Sequence, residues 1–222
     1  MPNKLQKFAD FKQFENCFFL PYEKLEEGLN LKGKWRTDYF KNENPIVLEL
    51  GCGRGEYTVG LGRKNRDKNY IGVDIKGNRI WTGAKQALEE KLSNIAFIRT
   101  RIDFVDSCFS ENEVDEIWIT FPDPQPQKPR ERKRLTNKKF LNRYFKFLKP
   151  GGIIHLKTDN TGFYEYTLSV IEEENLELLF STDDLYLKNP AGLSELTEIQ
   201  TYYEKLFSEK GERIKYCCFK RG

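Results

Sequence analysis

The chain predicts an open α/β fold, a mostly parallel sheet of seven strands with helices on both faces. Three observations carry this. Short apolar runs alternate with amphipathic stretches of helical length from residue 46 onward, the pattern of strand–helix–strand units. The first run, Ile46-Val-Leu-Glu-Leu, leads directly into a glycine turn, Gly51-Cys-Gly-Arg-Gly55. The second, Tyr70-Ile-Gly-Val-Asp-Ile75, carries an acid near its end, the arrangement that opens nucleotide-binding sheets.

The elements follow in order. Strands are expected at Ile46–Gly51, Asn69–Ile75, Ile95–Thr100, Val114–Phe121, Ile153–Thr158, Leu176–Phe180 and Arg213–Lys220. Helices are expected at Glu56–Lys64, Asn78–Leu92, Asn137–Leu148, Gly162–Glu174 and near Gln200–Glu209, with Lys149-Pro-Gly-Gly152 closing the third of them. Residues 1–44 form a separate aromatic and basic segment in which Phe8, Phe11, Phe14 and Phe18 recur at helical spacing, as in an amphipathic helix docked on the core. Pro45 punctuates its boundary with the sheet domain, residues 45–222.

The chain has 222 residues, enough for a substantial core, and 32% of them are charged. No apolar run approaches the ~20 residues of a membrane helix, and the N-terminus has no apolar stretch of the secretory kind. Five cysteines, an odd number without a Cys-x-x-Cys pair, fit a reduced, cytoplasmic chain; Cys217 and Cys218 should face opposite sides of their strand. The single histidine, His155, rules out His-rich metal sites and reads as structural, so no metal is expected.

Glu49 decides which ligand the glycine turn suits. A pyrophosphate wants free backbone N–H groups and no neighbouring carboxylate. A carboxylate just ahead of the turn suits a cationic ligand such as S-adenosylmethionine (SAM), which carries a sulfonium and an ammonium and no phosphate. Glycines at 51 and 53 let the backbone approach it, and Asp74 can accept both ribose hydroxyl protons. The spacing Gly-x-Gly-x-Gly also differs from the Gly-x-Gly-x-x-Gly of nicotinamide sites. A nicotinamide or flavin site, or a purely structural turn, stays open at this point.

The fourth strand runs into Phe121-Pro-Asp-Pro-Gln-Pro-Gln-Lys-Pro-Arg-Glu-Arg-Lys-Arg134. Ligands of open α/β sheets bind beyond the carboxyl ends of the strands, which sets Asp123 near the head of whatever the turn holds. Prolines 122, 124, 126 and 129 stiffen that path. Lys128, Arg130, Arg132, Lys133 and Arg134 are opposed only by Glu131, an anchor for a phosphate-bearing substrate larger than a metabolite, or a solvated helix start. Asp159 ends the fifth strand at the same edge, facing the cleft or capping the next helix.

These motifs, with Lys157-Thr-Asp159 and Thr201-Tyr-Tyr-Glu204, resemble the bacterial tRNA (guanine-N7-)-methyltransferases, which are class I, Rossmann-like, SAM-dependent methyltransferases. The resemblance covers nearly all of residues 45–222, and Phe-Pro-Asp-Pro with a basic tail is its most specific part. It implies that Glu49, Gly51, Gly53, Asp74, Asp103 and Asp123 line the SAM site, with Asp103 taking the adenine amino group and Asp123 catalytic. It further implies that Gln127, Asp159, Thr201, Tyr202, Tyr203 and Glu204 hold the guanine, and that the basic run from Lys128 to Arg134 lies against tRNA. The implied reaction is methylation of a guanosine N7, in the variable loop, by a monomer or homodimer away from any membrane. The chain departs from the family at Gln125, where a tryptophan is usual, at Gln127, where a lysine is usual, and at Pro129 and Arg130, which replace Arg-His. A methyltransferase with another acceptor, or a non-catalytic SAM- or RNA-binding module, remains an alternative.

Overall fold

Strand β2 (Ile46–Leu50) is buried along its whole length, which is why it reads as a continuous apolar run rather than an alternation. It lies at the centre of the sheet. Around it stand β1 (Cys17–Phe19), β3 (Asn69–Asp74), β4 (Ile95–Arg99), β5 (Val114–Thr120), β6 (Leu148–Thr158), β7 (Glu177–Thr182) and β8 (Lys215–Lys220). The order is β1-β4-β3-β2-β5-β6-β8-β7, with β1 to β6 parallel and β8 antiparallel to both its neighbours. The order reverses beside β2, so the carboxyl ends of β2 and β5 flank the crevice where such sheets take ligands. The computed structural model describes residues 2–191 and 193–222.

Helices α1 (Lys4–Gln13), α2 (Glu56–Lys64), α3 (Gly77–Glu89), α4 (Lys138–Tyr144), α5 (Thr161–Glu173), α6 (Glu195–Glu198) and α7 (Tyr202–Glu209) complete the fold. Two apolar cores form, one on each face. Leu48, Phe140, Tyr144, Phe163 and Cys217 belong to one; Val47, Tyr57, Ile80, Trp118 and Cys218 belong to the other. The adjacent cysteines thus face opposite sides, as the strand alternation requires. All five cysteines are free thiols.

Three expectations are corrected. The sheet has eight strands, not seven, because Cys17–Phe19 pairs in parallel with β4 at the edge. The phenylalanines of the N-terminal segment do not share one helix. Helix α1 ends at Gln13; Phe11 is buried and Phe14 stacks on Trp81, whereas Phe18 lies in β1, edge-on to Trp35. Trp35 and Phe40, on a π-helical turn, are also in the core, and one fully buried aromatic ring contributes roughly 1.5–3 kcal/mol. The Lys149-Pro-Gly-Gly152 stretch does not close a helix. Helix α4 ends at Tyr144, and these residues bulge within β6, where Leu148 pairs with Val114 and Ile153 with Glu116.

Candidate active site

Glu49 lies beneath the glycine turn, and its carboxylate is fully engaged. Its Oε2 accepts from the Thr58 backbone N–H at 2.9 Å and from the Thr58 hydroxyl, and its Oε1 accepts from the Thr120 hydroxyl at 2.5 Å. Burial raises its pKa to about 7, although all three hydrogen bonds favour the charged form. Thr58 on α2 and Thr120 at the end of β5 were invisible as partners in the sequence, because a hydroxyl in a helix or strand carries no positional signal.

The turn that follows is not a phosphate cradle. The N–H groups of Gly51 and Cys52 donate to the Val73 carbonyl, that of Gly53 donates to Asp74 Oδ2 at 3.0 Å, and that of Gly55 donates to the Cys52 carbonyl. Phosphate binding needs such groups free. Gly55 has a φ of 73°, and a Cβ there would stand 2.6 Å from the Phe97 ring, so α2 starts this close to the sheet only with glycine. Asp74 is half-buried at the tip of β3, its other oxygen accepting from the Lys76 N–H at 2.7 Å. The Thr100 N–H donates to the Asp74 carbonyl and brings the end of β4 alongside. Asp103 follows in the short helical turn Ile102–Ser107, paired with Arg101 at 3.3 Å and Lys139 at 3.5 Å.

Beyond β5 the chain turns sharply. Phe121 and Gln125 have φ of 46° and 45°, conformations that disfavour side chains of this size. Asp123, exposed between them, accepts from the Gln125 N–H at 3.1 Å. Gln127 is exposed at the start of the turn Lys128–Lys133, from which Lys128, Arg130, Arg132 and Lys133 all project into solvent. Arg134 differs from them. Its side chain is 12% exposed; its Nε donates to the Pro124 carbonyl at 3.2 Å and its guanidinium lies 4.2 Å over the Tyr166 ring. Beside this loop a cavity of about 310 Å³ is lined by Glu131, Lys138, Glu173 and Glu174, three carboxylates to one ammonium.

At the end of β6, Asp159 is half-buried, and burial raises its pKa. It is not the helix cap: Asn160 fills that place by accepting from the Phe163 N–H at 2.8 Å. Its backbone carbonyl accepts from Lys215 Nζ at 2.7 Å. Two residues earlier, Lys157 is wholly buried and its Nζ lies 2.7 Å from Glu204 Oε1. It also donates to the carbonyls of Leu196 and Ile199. Tyr186 adds a hydroxyl bond to Glu204 at 2.8 Å. Glu204 therefore faces inward, held by Lys157, rather than into the cleft. A lysine inside an apolar strand was the available sign of such a partner.

Thr201 caps α7 by accepting from the Glu204 N–H at 3.2 Å. Tyr202 and Tyr203 are exposed at the cleft edge. The Tyr202 N–H donates to Glu56 at 2.9 Å, and Arg54 of the glycine turn lies 5.2 Å over the Tyr202 ring. Tyr203 stacks on Phe207, and Phe207 on Phe121, each at 6.4 Å. One line of rings therefore joins the glycine turn, α7 and the Asp123 loop, three sequence-distant motifs. His155, by contrast, is buried in β6 against Trp118, its Nδ1 2.7 Å from the Tyr216 hydroxyl, and burial lowers its pKa to about 4. Among the described residues no group of three or more His, Cys, Asp or Glu is placed to hold a metal, and no helix is long and apolar enough to cross a membrane.

The sheet order, the carboxylate beneath a glycine turn whose three glycine N–H groups are all bonded within the protein, and the acid loop after β5 define a class I SAM-dependent methyltransferase. Solved structures share this fold: an antibiotic-related methyltransferase (TM-score 0.64, 16% identity, 86% of this chain and 94% of that one) and the 16S rRNA methyltransferase KamB (TM-score 0.61, 13% identity, 86% and 92%). At such identities the likeness concerns the fold alone. A family described as "Putative methyltransferase" matches residues 43–217. Proteins named tRNA (guanine-N(7)-)-methyltransferase are similar over almost the whole length. That of Christiangramia forsetii is 53% identical over 98% of this chain and 97% of its own. That of Bacteroides fragilis is 51% identical over 98% and 85%, and that of Clostridium novyi 39% over 88% and 89%. The chain belongs to the tRNA (guanine-N(7)-)-methyltransferase family.

Proposed function

We propose that the protein transfers a methyl group from SAM to N7 of a guanosine in tRNA, in the variable loop. The observation that carries this is the near-full-length identity of 53% to a relative of that name, joined to a turn whose Gly51, Gly53 and Gly55 N–H groups are already bonded within the protein. SAM fits the residues present: Glu49 and Asp74 put negative charge at a turn with no Cβ at 51 or 53, and Asp103 lies beyond the neighbouring strand.

When bound, SAM would supply an activated methyl on sulfur: the bare lone pair of guanine N7 would take that methyl in line, forming the N–C bond as the C–S bond breaks and the neutral thioether leaves. No proton has to leave N7 first, so the chain needs no general base, in keeping with a lone histidine buried within the sheet against Trp118 and Tyr216. Its task is to hold two partners in line, which can contribute ~7–11 kcal/mol. Asp123, with Asp159, is the pair proposed to grip the N–H edge of the base, and the charge of Asp123 favours the positive charge that moves onto the purine. Gln127, Thr201, Tyr202 and Tyr203 are proposed to complete the guanine site, with Glu204 reaching it only through the backbone it anchors. The exposed cations Lys128, Arg130, Arg132 and Lys133 are proposed to take tRNA phosphates.

Residues 45–222 are proposed as the catalytic domain, with residues 1–44 packed on it, in a cytoplasmic monomer or homodimer. The test is mass spectrometry of nucleosides from tRNA incubated with the purified protein and SAM. A new 7-methylguanosine signal is expected. Methyl on another atom, or none, overturns the reading.

A further inference from the structure

We propose that Arg134 is a positioning residue for methyl transfer, a clamp that fixes the Asp123 loop against the glycine turn, and not a tRNA phosphate contact. This rests on the reading of the site as a methyltransferase centre. Arg134 ends a run of exposed cations, yet its side chain is 12% exposed and is turned back onto the protein. Nε donates to the Pro124 carbonyl at 3.2 Å, next to Asp123 in the chain. Nη1 lies 3.7 Å from Glu131, and one face of the guanidinium covers Tyr166 at 4.2 Å. Tyr166 is itself fixed, its hydroxyl accepting from Asn137 Nδ2 at 2.7 Å.

The next residue completes the link. A Cβ at Gly51 would stand 3.8 Å from Leu135 Cδ1, so Leu135 lies over the glycine turn. Thr136 then bonds the Thr167 hydroxyl of α5 at 2.8 Å, fully buried. Residues 134–136 thus tie three elements together: the Asp123 loop, the glycine turn and α5. The loop needs such a tie, because Phe121 and Gln125 hold left-handed backbone conformations that a free chain would leave. Only a planar fork can stack on Tyr166 while donating sideways to Pro124, so lysine should not replace it.

The experiment compares Arg134→Ala and Arg134→Lys with Arg132→Ala. It measures kcat and KM for tRNA methylation, the salt dependence of tRNA binding, and amide hydrogen exchange in residues 122–127, where Asp123, Gln125 and Gln127 carry the exchangeable N–H groups. Both Arg134 variants should lose roughly 10- to 100-fold in kcat, the scale of a displaced catalytic group, with KM and the salt slope unchanged. Exchange in 122–127 should quicken in both. Arg132→Ala should flatten the salt slope and leave that exchange slow. A wild-type kcat in Arg134→Lys, or a flattened slope in Arg134→Ala, overturns the clamp. If the unaltered protein methylates no tRNA, the functional reading and the catalytic half of this proposal fall, while hydrogen exchange alone decides the clamp.

Discussion

Lys157 Nζ lies 2.7 Å from Glu204 Oε1, and neither side chain is exposed to solvent. Burial lowers the lysine pKa, and the carboxylate opposes that shift. The pair joins β6, which ends at Asp159, to the segment that carries Thr201, Tyr202 and Tyr203. Lysine also bonds the carbonyls of Leu196 and Ile199, so one ammonium sets the course of residues 196–204.

Removing either partner alone leaves a buried charge unpaired. Lys157→Met should therefore destabilise the fold by about 3–5 kcal/mol, read from urea unfolding. The double variant Lys157→Met, Glu204→Gln should recover most of that loss, because burying two neutral groups of similar volume is nearly free of the charge penalty. A double variant as unstable as the single one would show that the pair is not what holds the segment.

The fold was legible where periodicity carries information. Helix α2 was read to the residue, and β2 to β5 to within one residue, because buried parallel strands are continuous apolar runs. Strand β1 was not legible: three residues, with Phe19 half exposed, give no period, and their place at the edge is set by pairing with β4. Lys149-Pro-Gly-Gly152 misled because proline and glycine mark a helix end and a strand bulge alike. Around the site the motifs marked which residues gather, but not which way they face. Arg134 and Glu204 sit within polar stretches and are turned inward by Tyr166 and Lys157, partners 32 and 47 residues distant in the chain.

Asp123 should matter to turnover and little to SAM binding. Its carboxylate is exposed and bonds only its own loop, at Gln125, so removing it leaves the glycine turn intact. Asp123→Ala is expected to reduce kcat by at least ~10²-fold, the loss seen when an electrostatic group aimed at developing charge is removed. Isothermal titration should find SAM binding still measurable. Near-normal turnover would remove Asp123 from the reaction.

Glu49 should make stability depend on pH near neutrality. Its pKa is raised by burial from 4.5 to about 7. A carboxyl that binds its proton more tightly in the folded state stabilises the fold fully below the unfolded pKa. That contribution fades as pH rises through 4.5 to about 7, and above it the charge is buried with only its three hydrogen bonds to offset the cost. The loss is on the order of 3 kcal/mol at about 1.4 kcal/mol per unit. Unfolding free energies of the wild type and Glu49→Gln, measured across that window, should converge on a flatter curve for the variant. Parallel curves would mean that Thr58 and Thr120 hold the carboxylate charged throughout.

The exposed cations should govern tRNA affinity through salt. Arg130, Arg132 and Lys133 project from one short turn and make no ion pair among the described residues, which leaves each free for a phosphate. A cation that neutralises one phosphate of a structured nucleic acid contributes about 0.7–0.9 to the slope of log K against log salt. Replacing all three with alanine should flatten that slope by roughly 2 to 3 and weaken binding most at low salt. SAM binding and the melting temperature should change little, since none of the three is packed against the fold. An unaltered slope would assign the run to solvent and move the tRNA-binding face elsewhere on the molecule.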